Sequence, residues 1–273
     1  MKLAYQVAMP EVKPSHFLTA YKGDLPEAFR LLKENGYDGV ELMICETGKE
    51  ARDTLKGLCG EFNLEISALI TGELYGHEKL SLSNHDPNVR EKCVKRFHDF
   101  INMAAEFGAQ VNIGRSRGLY EPEVPHEQTY AWALESLRSV VQYAEQKQVT
   151  LILEPVNFLQ CDFILSTREG RDIVDQIGSR YLKLMIDVFH MNIQDKDMLA
   201  EIRETKGYFT YVHLSDNNRL YPGNCRLDFS AIINTLKETG YEGYAGVEIL
   251  QKPDMVTAVR ESARHLVPLI RRS

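Results

Sequence analysis

Four ionisable side chains sit at the ends of four successive apolar runs in the second half of the chain. VTLILE (149–154) ends in Glu154 and LKLMID (182–187) ends in Asp187; FTYVHLS (209–215) carries His213 and AGVEIL (245–250) carries Glu248. Asp216 follows His213, and His190 follows Asp187 inside the otherwise apolar LMIDVFHMNI (184–193). A charge in such a run is costly unless it is paired or bound to a metal. Two glutamates, an aspartate and one imidazole do not neutralise each other, because three negative charges face a single weak base. A divalent cation balances the set. The oxygen-rich donors with one nitrogen suit Mn²⁺ first, ahead of structural zinc, with Mg²⁺, Co²⁺ or catalytic Zn²⁺ as alternatives.

The elements that must position these groups are legible as an alternation. β-rich apolar runs occur at 3–8, 38–43, 64–70, 110–114, 149–154, 182–187, 209–215 and 245–250. Amphipathic stretches lie between them at 25–36, 86–108, 126–148, 166–178, 195–205, 227–240 and 253–270. LPEAFRLLKENG has helical spacing and stops at Gly36, while Asp86-Pro87 is a helix-start signal. Strand–helix alternation implies right-handed βαβ units around a parallel sheet. Eight units in 273 residues predict a closed (β/α)8 TIM barrel, an α/β fold, as one domain over residues 1–273. An open dinucleotide-binding sheet would show GxGxxG after its first strand, and residues 9–20 carry no such motif. In a barrel of this kind the C-terminal strand ends hold the active site, where the four ionisable groups fall.

Composition narrows the partners. With 44% hydrophobic residues the chain can bury a large core, and its formal net charge of −7 disfavours nucleic acid or a membrane surface as partner. Five cysteines form no CxxC pair, which suits free thiols in a reducing cytoplasm. No apolar run approaches the length of a membrane span, and the N-terminus lacks the pattern of a signal peptide. The expectation is a cytoplasmic protein with a small-molecule ligand; a homo-oligomer, dimer or tetramer, is compatible with the sequence.

LEPVN (153–157), IDVFHMN (186–192), HLSDNNR (213–219) and GVEIL (246–250) resemble the sugar isomerase/epimerase superfamily with the xylose-isomerase-like barrel. The branch most similar is that of the ketose 3-epimerases of the D-tagatose/D-psicose type, with hydroxypyruvate isomerase nearby. The resemblance implies that Glu154, Asp187, His213 and Glu248 bind one divalent metal ion and that Glu154 and Glu248 double as acid/base catalysts on opposite faces of a sugar or sugar phosphate. A metal-stabilised enediolate then allows epimerisation or aldose–ketose isomerisation. It also implies that His190 and Arg219 donate to substrate oxygens. After LEPVN that branch carries a substrate-touching glutamate, and Gln160 is the nearest match here.

Three further features are open on the sequence. IGRSRG (113–118) offers Gly114, Arg115, Arg117 and Gly118 as a small anion pocket, or a loop whose arginines pair with Glu121 or Glu123. Glu41 in GVELM is expected to be a structural carboxylate bonded to backbone or arginine, far round the barrel from strands five to eight. His77 and His85, after the third strand, read as solvated loop residues. Two other functions compete: a zinc-dependent nuclease acting at abasic DNA, which needs rim histidines absent from TGELYG, GRSRG and GNCRLDF, and a non-catalytic sugar-binding barrel.

Overall fold

The computed structural model describes residues 1–272. Its strands are β1 (Lys2–Ala8), β2 (Gly39–Met43), β3 (Glu65–Ile70), β4 (Gln110–Ile113), β5 (Leu151–Leu153), β6 (Leu182–Asp187), β7 (Phe209–Leu214) and β8 (Tyr244–Val247). The helices are α1 (Leu25–Glu34), α2 (Lys49–Phe62), α3 (Gly72–Gly76), α4 (Pro87–Phe107), α5 (His126–Lys147), α6 (Thr167–Ile177), α7 (Val188–Gln194), α8 (Met198–Glu204), α9 (Phe229–Glu238) and α10 (Met255–Arg271). All eight strands are parallel and pair in sequence order, and β8 closes on β1. The chain is a (β/α)8 barrel, as the alternation predicts.

Two apolar layers hold it. Outside the strands, side chains such as Val40, Leu42 and Leu214 pack against helix faces that include Phe29, Phe97, Phe100 and Leu266. Burying each such large side chain contributes roughly 1.5–3 kcal/mol. Inside, Ala68, Ile70, Ile152, Met185 and Tyr211 form a separate plug, floored by Tyr244. This plug lies below the polar rim, so the rim groups stand on a packed base.

Local chemistry fixes the helix ends. Asp24, Asp86 and Ser166 accept from backbone N–H groups of the first turns of α1, α4 and α6, each cap contributing about 1 kcal/mol. Gly36 and Gly240 close the turns after α1 and α9 at φ of 82° and 78°, the left-handed region that glycine enters freely.

Three helices stand where the sequence-based expectation has none, namely α2, the one-turn α3 after β3 and α7, while β6 ends at Asp187 as expected. Residues 49–62 form α2 although no helix is expected there: Gly57 and Gly60 lower its helix propensity, and only Leu55 and Leu58 are buried. In LMIDVFHMNI the strand stops at Asp187, whose carboxylate accepts from Phe189 N at 2.8 Å and caps α7. The apolar residues beyond Asp187 belong to a helix turn and not to a strand. Among the described residues no helix is long and apolar enough to cross a membrane.

Candidate metal centre and active site

Glu154 follows β5, Asp187 and His213 lie in β6 and β7, and Glu248 follows β8. Register places Asp187 opposite His213, and His213 opposite Gly246. One ligand atom from each of Glu154, Asp187, His213 and Glu248 lies within 4.8 Å of the other three. His213 Nδ1 is 3.1 Å from Glu248 Oε2, 3.5 Å from Glu154 Oε1 and 3.8 Å from Asp187 Oδ2. It is nevertheless a buried nitrogen with no hydrogen-bond partner. A nitrogen lone pair and three carboxylate oxygens converging on one point, with the nitrogen otherwise unused, fit a divalent cation. The four residues are those expected from the sequence.

Electrostatics is consistent with a cation position. Burial pushes the His213 imidazole down, but the charges of Glu41 and Glu248 outweigh it and hold the pKa well above the usual histidine range. Burial likewise raises Glu248, and Arg219 and His213 overcome this to hold it well below the usual carboxylate range. Arg219 Nη1 donates to Asp187 Oδ2 at 2.6 Å, and Nη2 pairs with Glu248 Oε2. Its guanidinium also lies over the Phe189 ring, 4.7 Å from the centroid. Arg219 has φ of 61°, an uncommon conformation for a non-glycine residue, so the loop must hold it there.

Asp216 provides that hold. Its two oxygens accept from the backbone N–H groups of Asn217, Gly223, Cys225, Arg226 and Leu227 at 2.7–3.1 Å. Asp216 therefore organises the loop that presents Arg219, and its oxygens are spent on backbone groups rather than on the cluster.

His190 sits in the first turn of α7, 4% exposed, with Nε2 3.7 Å from Asp187 Oδ2 and 3.9 Å from Glu154 Oε1. Its Nδ1 is 2.6 Å from Asn157 Nδ2. Asn157 Oδ1 accepts from Leu159 N at 3.0 Å, which fixes the amide with its NH₂ toward the ring. Nδ1 is then the acceptor and the proton resides on Nε2, facing the cluster. Burial lowers the His190 pKa, consistent with a neutral ring. Asn157 sets this tautomer, a role the sequence does not announce.

The remaining expectations are divided. Arg117 is a correction: it is 2% exposed and donates to the carbonyls of Gly114, Glu154, Phe163 and Ile164 at 2.9–3.2 Å. Its five donors are consumed by backbone, so it reads no anion and pairs with neither Glu121 nor Glu123. Gly118, at φ of 98° and packed on Ser81 and Ser83, shapes the turn instead of a pocket. Arg115 is exposed, and its side chain makes no ion pair or hydrogen bond among the described residues. Gln160 is exposed on the loop after β5, and its side chain forms no hydrogen bond to the cluster. His85 is solvated and pairs with Glu121 at 3.2 Å.

Glu41 is a second correction. It is fully buried, and its Oε2 lies 2.9 Å from His213 Nε2. Closure of the barrel puts β2 only two strands from β8, so Glu41 faces the cluster across the interior.

The fold and the site together are a parallel eight-strand barrel with three carboxylates and an imidazole converging at its C-terminal rim, a group that could hold a divalent cation. The chain belongs to the xylose isomerase-like TIM barrel family, whose model matches residues 29–269. It is 36% identical over 221 residues to a D-psicose 3-epimerase of Enterocloster bolteae, covering 78% of this chain and 72% of the relative. It is 23% identical over 248 residues to a 3-dehydro-D-guloside 4-epimerase of Escherichia coli, covering 86% and 91%. The crystal structure of D-psicose 3-epimerase with D-tagatose from Clostridium cellulolyticum H10 superposes with a TM-score of 0.75 at 21% identity, covering 96% of this chain and 90% of the other. The chain is an isomerase or epimerase.

Proposed function

We propose that the protein epimerises or isomerises a ketose or a related α-hydroxycarbonyl sugar, with Glu154 and Glu248 as acid and base. The observation that carries this is the convergence of Glu154, Asp187, His213 and Glu248 on the unpartnered His213 Nδ1. Glu154 and Glu248 stand at the two ends of the arc β5–β8, with Asp187 and His213 between them. That arrangement suits proton removal on one face of a substrate and delivery on the other. When bound, a divalent cation, Mn²⁺ foremost, supplies the Lewis acidity that draws charge onto the substrate oxygens as the neighbouring carbon loses its proton. The chain's own residues do the rest. Asn112 donates to Glu154 Oε2 at 3.0 Å, fixing that carboxylate and leaving Oε1 toward the cluster. His190 presents Nε2–H as a neutral donor to a substrate oxygen. Arg219 places its guanidinium beside Glu248 and Asp187, where it orients an oxygen next to the reacting carbon.

The relatives' names favour free sugars as substrates, and Arg115, unpaired after β4, is the group suited to a phosphate or carboxylate on the substrate. The whole of residues 1–273 acts as one barrel domain in this reading. The test is incubation of Mn²⁺-loaded protein with free and phosphorylated ketoses in D₂O. Deuterium should enter next to the carbonyl, and no incorporation across the panel would refute the proposal. Selective exchange of phosphorylated ketoses, lost in Arg115→Ala, would assign Arg115 to the anion.

A further inference from the structure

The phrases GYDGVEL (36–42) and GYEGYAGVEIL (240–250) share more than a glycine-closed turn. Gly39 of β2 and Gly246 of β8 both pair with Ala4 of β1, so the two GVE segments flank β1 at one level. Each phrase then delivers a glutamate two residues later, Glu41 on one side of Gln6 and Glu248 on the other. Gln6 Nε2 donates to Glu41 Oε1 at 2.7 Å and lies 3.4 Å from Glu248 Oε1. Thr19 Oγ1 is 2.9 Å from Gln6 Oε1 and 3.1 Å from Glu248 Oε1. Thr19 is itself held at the rim, since its carbonyl accepts from Ile249 N at 3.0 Å. Gln6 and Glu41 are fully buried.

The two glutamates have different free ends. Glu248 turns Oε2 toward His213 Nδ1, whereas Glu41 turns Oε2 to the opposite ring nitrogen, Nε2, at 2.9 Å. Gly246 makes the second contact feasible. A Cβ at that position would lie 2.5 Å from Glu41 Oε2 and 2.9 Å from the Tyr211 ring. Contacts under 3.0 Å to a buried carboxylate and a buried aromatic ring leave no space for a side chain at residue 246.

We propose that Glu41 is the positioning residue of the metal centre: it accepts a hydrogen bond from His213 Nε2–H, directing the Nδ1 lone pair at the cation, and Gln6 with Thr19 ties it to Glu248. The proposal rests on the metal-site reading and extends it from four ligands to the groups behind them. A buried carboxylate facing the far nitrogen of a ligating imidazole fixes both the ring's orientation and its tautomer, and raises its basicity. Glu41, Gln6, Thr19 and Glu248 come from β1, β2 and the loops after β1 and β8, so one hydrogen-bonded chain links the metal's histidine to a proposed acid/base residue. Because Gln6 and Thr19 engage Oε1 of Glu248, Oε2 is the oxygen that faces His213 Nδ1 and Arg219.

The experiment is Mn²⁺ titration of metal-stripped wild type, Glu41→Gln and Gly246→Ala, with the fold of each checked by circular dichroism. A histidine ¹⁵N NMR spectrum of the Zn²⁺-loaded wild type, with His213 assigned by its absence from His213→Gln, accompanies it. Wild type should bind one Mn²⁺, and both variants should bind it about 10–100-fold more weakly, the range typical for loss of such a partner. In the spectrum His213 should carry its proton on Nε2. Folded variants that bind Mn²⁺ as tightly as wild type, or a His213 proton on Nδ1, would overturn the role of Glu41 while leaving the four-ligand site intact. Wild type that binds no divalent ion would overturn both.

Discussion

Replacing Arg117 with methionine tests whether this buried cation serves the barrel or a ligand. Its guanidinium donates to four carbonyls, of Gly114, Glu154, Phe163 and Ile164. Two of these have a backbone donor as well: Gly114 O accepts from Arg117 N at 3.2 Å and Ile164 O from Val156 N at 3.2 Å. The substitution therefore strands the carbonyls of Glu154 and Phe163, at about 1–3 kcal/mol each. Removing a buried charge returns part of this, because its desolvation cost disappears. The net expectation is a loss of about 2–4 kcal/mol, which lowers Tm by several degrees in a chain of this size. Thermal unfolding by circular dichroism with and without 50 mM phosphate is the assay. The account predicts the lower Tm and no stabilisation of the parent by phosphate that the variant lacks. A variant as stable as the parent, together with a phosphate effect that requires Arg117, would refute the carbonyl-cradle explanation and restore the anion pocket.

Other consequences follow from the same contacts. Asn157→Leu removes the donor that fixes the His190 tautomer, so turnover should fall about 10–100-fold while Mn²⁺ affinity stays within twofold; equal losses of both would place His190 among the ligands. Asp216→Ala frees five backbone N–H groups and the turn that holds Arg219 at positive φ, and should raise KM more than it lowers Mn²⁺ affinity; an unchanged KM would detach Arg219 from substrate. For the metal-free protein, the raised His213 pKa means that the folded state holds a proton the unfolded chain releases near pH 6.5. Its stabilisation is complete below that value and is lost as pH climbs toward the folded pKa, so Tm in EDTA should decline between pH 6.5 and 8. Over the same interval Mn²⁺ affinity should rise, because the ion displaces that proton. A Tm that rises across the interval would contradict the assignment.

The positions of all eight strands were legible to within three residues because period and length separate them from the helices. The four clustered residues were legible for a related reason: a charge at the end of an apolar strand is conspicuous. What spacing does not carry is closure. Glu41 reads as remote from β7 because sequence order puts five strand steps between β2 and β7, whereas the β8–β1 closure shortens the path to three. Arg117 was equally opaque, since its partners are carbonyls on separate loops and any residue type supplies a carbonyl. Asn157 and Asp216 act on a ring nitrogen and on backbone N–H groups, partners that only the folded chain brings within reach. In LMIDVFHMNI the ambiguity was local, and the N-cap at Asp187 resolves it by turning the acid toward the cluster and starting the helix that carries His190.

The most direct test of the central claim is an anomalous difference map at the manganese edge from crystals of the Mn²⁺-loaded protein. The account predicts one strong peak per chain within coordination distance of Glu154, Asp187, His213 Nδ1 and Glu248, and its loss in crystals of Asp187→Asn. A peak elsewhere, or an undiminished peak in the variant, would contradict it.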